Sequence, residues 1–479
     1  MKAKKFGKIV LRMIAIVLLS ATIGTLLCYF SYLVPINSEI EDLAFETLDF
    51  QGYSCDYPEI CNYGIYWWSG SPGIADMNTV HIIIKNTFSR WSGGFSELTK
   101  VAMHEEYSRY WHGYVSILRP LFYFMTYRNF EIVGGFLVII SVALCTAEIS
   151  KRKSTPYAFA YLSSVIIIMP GIVGICLQYI WVFLIAHFGL YIALRNDRKL
   201  CNALYFMPFY TIVGAVTVYM DFLTYPLYTW GVIELWVLMC VLNDDTKETV
   251  THVIGSAIAW GFGYIGMWAS KWMIGSALLG KNVLAEARYQ LRYRSFLGNG
   301  EWMIRSALFQ NFKYYKYGPF YFLMVSWFAF FLVNILIKLF KGKRIVFKKK
   351  TIAVMLLGLS SLAWYFVAAE HTYIHHLFTY RIGSILVSAC FSLIVLFCFP
   401  DEGRDEKNEC RLTRKYFLSL LLILVLSFVL TIGLVYVTYD ELVVKNTETP
   451  GFEDRYVEAG TSVSFDFIPS FGRITEYGL

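Results

Sequence analysis

Charge is scarce in this chain. Asp, Glu, Lys and Arg make up 16% of its 479 residues, against about a quarter in water-soluble domains. That shortage argues against a chain kept in water by a charged surface. No run of Lys and Arg has the length or context of a nucleic-acid-binding arm, so nucleic acid is not an expected partner. The ten cysteines contain no CxxC pair and no zinc-finger spacing, which argues against small zinc modules. No Pro-rich or Gly/Ser-rich linker marks off a separate soluble domain, and no internal repeat is visible.

Apolar and aromatic side chains fill the space that charge leaves. Hydrophobic residues reach 57% and aromatics 18%, with 35 Tyr and 13 Trp. Tyr and Trp favour membrane–water interfaces. Lys2, Lys4, Lys5 and Lys8 precede an apolar run over 9–34. The run is longer than a signal-peptide core and no small-residue cleavage pattern closes it, so it reads as a retained first span.

At about 20 apolar residues per span, the sequence predicts an all-α polytopic integral membrane protein with about eleven transmembrane helices. They fall near 9–34, 130–150, 157–174, 177–194, 201–219, 225–242, 250–270, 319–340, 352–369, 382–399 and 416–438. Pro170-Gly171 leaves open a single broken helix in place of the third and fourth. Basic residues set the orientation. Lys151–Lys153, Arg195/Arg198/Lys199, the cluster from Lys338 to Lys350, and Arg404–Lys415 all fall on the side of the N-terminus. Only the loop at 243–249 departs from this. The expectation is a cytoplasmic N-terminus in a multi-pass bacterial plasma-membrane protein. Residues 1–438 form the membrane domain, with external loops at 35–129 and 271–318, and 439–479 form an external tail. Cys55 and Cys61 lie in the first loop, where a disulfide and two free thiols are both open.

Four outward segments carry ionisable residues, which are costly near a bilayer and are usually paired or functional there. The first holds His104, Glu105, Glu106, Arg109, His112 and Arg119. On a helix, Glu105, Arg109 and His112 share one face. A carboxylate there suits a general base, with Arg109 or His112 orienting a phosphate or a sugar hydroxyl; a plain carboxylate–arginine pair holding the loop is the alternative. The second is Asp221, a helix cap or a site residue. The third runs through Glu370, His371, His375, His376 and Arg381. The His371/His375 spacing suits a metal, hydrogen bonding to a polar substrate, or an interfacial belt. No third ligand is fixed by spacing, so no cofactor is required, although a divalent metal stays open. The fourth, 281–316, sets Lys281, Arg288, Arg292, Arg294, Arg305, Lys313 and Lys316 against Glu286 and Glu301. It suits an anionic head group or lipid phosphate, or general attraction to anionic lipids.

An odd span number near eleven, acids in a long first external loop and a late basic external loop resemble the membrane glycosyltransferases of the GT-C superfamily. The stretches Tyr107–Pro120 and His371–Arg381 are similar to bacterial membrane proteins of that architecture. The resemblance implies a polyprenyl-phosphate-linked sugar donor, a glycan or lipid acceptor of the cell envelope, and transfer on the non-cytoplasmic face. It implies a catalytic carboxylate in the first external loop, with Glu105, Glu106, Asp76, or the Glu41-Asp42 pair as candidates. A lipid phosphate would meet Arg288, Arg292, Arg294, His371, His375 and Arg381. An O-antigen-type polymerase or ligase, and a lipid or polysaccharide transporter, are the competing expectations.

Overall fold

A computed structural model describes residues 3–35, 79–80, 82–83, 94–295, 300–316, 318–342 and 348–399. Among these the chain is helical, with no strand. Asp76, Glu41, Asp42, Cys55, Cys61, the span expected at 416–438 and the tail lie outside the described residues.

Six helical stretches are long and apolar enough to cross a membrane: Lys5–Tyr32, Asn129–Arg152, Ala203–Met220, Thr246–Leu279, Phe320–Phe340 and Tyr380–Cys398. Three shorter apolar helices accompany them, Ile180–Arg195, Leu227–Cys240 and Thr351–Val367. The protein is an all-α membrane protein. In chain order the elements are α1 (Ala3–Tyr32), α2 (Phe95–Ala102), α3 (Val115–Leu121), α4 (Tyr127–Arg152), α5 (Thr155–Ile166), α6 (Pro170–Ile175), α7 (Ile180–Arg195), α8 (Asp197–Leu200) and α9 (Ala203–Met220). They continue as α10 (Leu227–Cys240), α11 (Thr246–Leu279), α12 (Val283–Arg294), α13 (Gly300–Phe312), α14 (Gly318–Phe340), α15 (Thr351–Val367), α16 (Ala369–Ile374), α17 (His376–Thr379) and α18 (Ser384–Cys398).

The sequence expects a continuous span over 157–174. The structure breaks it: α5 stops at Ile166, Met169 turns left-handed, and Pro170 opens α6. Proline lacks the N–H that would continue the ladder but fits the first helical turn. Then α7 runs back, so the two expected elements do not merge.

Helix α10 is the hub. Every residue from Tyr228 to Met239 is buried, as for a predominantly apolar helix enclosed by protein on all sides. It packs against α7, α15, α18, α9 and α11. The closest pairing is α9 with α11, where small residues let two backbones touch. A Cβ on Gly214 would strike the Trp260 carbonyl, and one on Gly263 would strike Thr211.

The two ends differ in chemistry. At one end the basic loops gather. Arg152 Nη1 donates to Asp197 at 2.5 Å and Arg195 to Glu148 at 3.1 Å. Lys350 Nζ donates to the Leu238 and Leu242 carbonyls at 3.2 and 3.1 Å, neutralising the negative end of α10. The acidic loop that broke the charge pattern lies here too, with Asp244 accepting from Lys350 N at 2.9 Å. The opposite end, where α1, α9, α11 and α15 finish, carries the remaining polar segments.

Candidate functional site at one end of the bundle

The segment from His104 to His112 is not the helix that placed Glu105, Arg109 and His112 on one face. It holds a single short turn, Glu105–Tyr107, between two left-handed histidines. Buried carbonyls must find donors, and here most of them find side chains, three of those from a distant part of the chain. Lys271 Nζ donates to the Met103 carbonyl at 3.1 Å, Lys281 to that of Glu105, and Trp272 to that of Arg109 at 3.1 Å. His112 Nε2 donates to the Tyr107 carbonyl at 3.2 Å. Side chains from α11 and the turn after it have replaced the intrahelical bonds. Arg109 consequently pairs with Glu286 of α12 at 2.9 Å, not with Glu105. Glu105 is half-buried and Glu106 exposed.

Three contacts bring this segment to the Asp221 loop. Phe222 meets the rings of His112, Tyr114 and Tyr110 at 4.9, 5.0 and 6.0 Å. Asp221 itself is buried, and its carboxylate accepts from Thr224 N at 3.1 and 3.2 Å and from the Thr224 hydroxyl. It therefore fixes the turn between α9 and α10. Burial pushes its carboxyl up to about 7, against the pull of the Thr224 hydroxyl and N–H groups. A carboxyl poised near neutrality suits proton transfer.

The next residue but one, Leu223, is left-handed, and its carbonyl accepts from His371 Nε2 at 2.8 Å. His371 lies on α16 and faces His375 with ring centroids 4.7 Å apart. His376 Nδ1 pairs with the Tyr314 hydroxyl at 2.6 Å. Glu370 is buried. Arg381 is fully buried, donates from Nε to the Ile168 carbonyl at 3.0 Å, and lies 4.6 Å from the Tyr179 ring.

Of the basic residues on α12, Arg288 and Arg292 are exposed, whereas Arg294 is partly buried. Arg294 follows Val283 and Ala287, the buried stripe of α12, at helical spacing. Its charge reaches Tyr110 on one side and His371 and His375 on the other. All four polar segments therefore meet around the Asp221 loop. Arg119, at the far end of the first segment, stacks at 4.6 Å on the Tyr32 ring whose hydroxyl meets His104. Its Nη1 donates to the Ile83 carbonyl at 2.5 Å and its Nε to that of Val34 at 3.2 Å. Burial draws its guanidinium down to about 10, with Tyr32 opposing.

The histidines at this end are neutral at pH 7. Burial draws His371 down to about 4, helped by Arg294, and His376 to about 3, helped by Lys313. Burial likewise holds His104, His112 and His375 well below the ordinary imidazole value, with neighbouring cations and imidazoles adding to it. They serve as neutral hydrogen-bond partners; fixed positive charge comes from Arg109 and Arg294. Among the described residues no group of three or more His, Cys, Asp or Glu side chains is disposed to hold a metal ion.

Backbone strain concentrates here. Among the described residues four non-glycine positions are left-handed: His104, His112, Met169 and Leu223. Each costs of order 1–3 kcal/mol and persists only where surroundings hold it. Tyr32 and Tyr114 hold the two histidines, at 3.3 and 3.1 Å from their Nδ1 atoms. His371 holds Leu223, and Arg381 grips Ile168 beside Met169.

Lys271, Tyr110 and Leu223 escaped the sequence reading. The basic loop expected from 271 begins later, because α11 continues to Leu279 and buries Lys271 against the Trp111 ring at 5.4 Å. A lone lysine closing a long apolar run was the available signal. Comparison with protein-family models, curated proteins and solved structures finds no match.

Proposed function

We propose that the chain is a bacterial membrane glycosyltransferase. It moves a sugar from a polyprenyl-phosphate donor to a glycan or lipid acceptor of the cell envelope, on the non-cytoplasmic face. The topology that goes with this has about eleven spans, the last near 416–438, and a cytoplasmic N-terminus. The observation carrying the reading is the grouping around one loop of a buried carboxyl, Asp221, with Arg109, Arg294 and the neutral imidazoles of His112 and His371.

In this reading Asp221 takes the role that the resemblance offered to Glu105 and Glu106, which sit on a short turn, the first half-buried and the second exposed. Its carboxylate removes the proton of the acceptor hydroxyl. The freed oxygen attacks the anomeric carbon, and the bond from that carbon to the phosphate oxygen breaks with inversion. The departing lipid phosphate keeps the electron pair, and the guanidinium groups of Arg294 and Arg109 offset its charge. The imidazoles supply neutral hydrogen bonds to sugar hydroxyls.

The test is transfer of a radiolabelled sugar from polyprenyl phosphate to envelope acceptor in vesicles holding the purified chain. D221N should insert normally and lose transfer by at least about a hundredfold, the scale of a missing general base. Full transfer by an inserted D221N removes Asp221 from the reaction. Movement of the labelled lipid across the bilayer with no covalent change would favour the transport reading instead.

A further inference from the structure

The bundle buries a second acid, Glu234, on the side of the α8 turn. Glu234 lies on α10, fully enclosed, between Tyr210 of α9 and His252 of α11. Tyr210 donates its hydroxyl to Glu234 Oε2 at 2.7 Å. His252 Nδ1 lies 2.8 Å from Glu234 Oε1, and His252 Nε2 lies 3.0 Å from the Leu200 carbonyl at the end of α8. Phe206 covers the imidazole with ring centroids 4.2 Å apart.

The protons in this network can be counted. A carbonyl oxygen only accepts, so His252 Nε2 must carry a hydrogen for the bond to Leu200. A neutral imidazole has one N–H, and Leu200 has taken it. A bare Nδ1 lone pair facing a carboxylate oxygen at 2.8 Å would be repulsive. One further proton must therefore sit between Nδ1 and Oε1, whether it is assigned to an imidazolium or to a carboxylic acid. Tyr210 does not supply it, because its hydrogen is directed at Oε2.

We infer that Glu234 and His252 form a proton-binding site in the interior of the bundle, with H+ as its ligand. Ionisable groups inside a membrane bundle pair with one another or with backbone carbonyls, and proton relays are among the functions they mark. From α9 the pair is faced by Tyr210, and on α11 the further acid Glu248 lies one turn before His252. The α8 turn contributes the Leu200 carbonyl. That turn opens at Asp197, the partner of Arg152 at 2.5 Å. Occupancy of the site is thereby tied to the position of the α8 turn at the basic end. Loss of the proton leaves carboxylate against lone pair, and His252 must turn or withdraw, releasing Leu200.

The purified full chain in lipid nanodiscs provides the test. Infrared and imidazole nitrogen-15 spectra at neutral pH should show either a protonated carboxyl that disappears in E234Q or a doubly protonated His252. An ionised Glu234 beside a singly protonated His252 overturns the inference. Stability gives an independent arm. In E234Q the amide N–H replaces the shared proton and the amide oxygen still accepts from Tyr210, so its melting temperature should match that of the unaltered chain. E234A, which cannot replace it, should lose several degrees or fail to fold. E234Q falling as far as E234A also overturns the inference. Neither arm depends on sugar transfer, so the result stands apart from the fate of the proposed activity.

Discussion

His371 Nε2–H and the Leu223 carbonyl, 2.8 Å apart, join α16 to the loop that carries Asp221. The bond fixes the imidazole tautomer and holds a left-handed residue two positions from the candidate base. H371A leaves that carbonyl without its donor and should destabilise the protein by about 1–3 kcal/mol. H371Q, whose amide N–H extends to nearly the same place, should recover part of that loss. Thermal unfolding of the two variants checks the difference.

Asp221 makes both stability and activity depend on pH, in opposite senses. Its folded carboxyl value, about 7, lies above the ordinary carboxylate range. The folded state thus holds the proton more tightly than the unfolded chain. The associated stabilisation is complete below the ordinary carboxylate value and is lost as pH rises toward about 7. Transfer, which needs the ionised folded form, should rise only as pH passes through about 7, at the upper end of that window. D221N should flatten the stability profile across this window; an unchanged profile would contradict the burial argument.

Two adjacent glycines on α4 should respond oppositely to alanine. A Cβ on Gly134 falls inside the Gly174 carbonyl oxygen, where α6 crosses α4. G134A must push the backbones apart and should cost about 1–3 kcal/mol. A Cβ on Gly135 meets nothing within 4 Å. G135A should be neutral or stabilise by about 0.5–1 kcal/mol, because glycine in a helix interior is the weaker helix former. Melting temperatures of the pair test the α4–α6 crossing directly.

The Arg109–Glu286 pair attaches α12 to the first segment, but its carboxylate side is 37% exposed. Solvent screening limits such a pair to about 0.2–1 kcal/mol. A double-mutant cycle with R109Q and E286Q should give a coupling in that range at low salt and less at high salt. A coupling of several kcal/mol would mean that the pair is far more enclosed than described.

Long elements were legible because length and apolarity determine them. The expected spans at 9–34, 130–150, 201–219 and 319–340 fall on α1, α4, α9 and α14. The segment at 104–112 was misread for a physical reason. Its spacing suits a helix, but Lys271, Lys281 and Trp272 take its carbonyls from another part of the chain. Helical spacing on α12 does separate Arg294 from Arg288 and Arg292, since Val283 and Ala287 mark the buried stripe. Glu234 and His252 stayed hidden because an isolated polar residue inside an apolar run gives no sign of its partner. The meeting of the four polar segments depends on bonds between residues more than a hundred positions apart, such as His371 with Leu223.

In the proposed topology the Asp221 end of the bundle faces away from the cytoplasm and the basic loops face toward it. Single cysteines at the exposed positions Glu106, Arg288 and Lys349, in a chain otherwise without reactive thiols, test it with a membrane-impermeant maleimide on intact cells. Positions 106 and 288 should label at once, and 349 only after the membrane is opened. Labelling of 349 in intact cells with silence at 106 and 288 would invert the molecule and place Asp221 on the wrong side for the proposed chemistry.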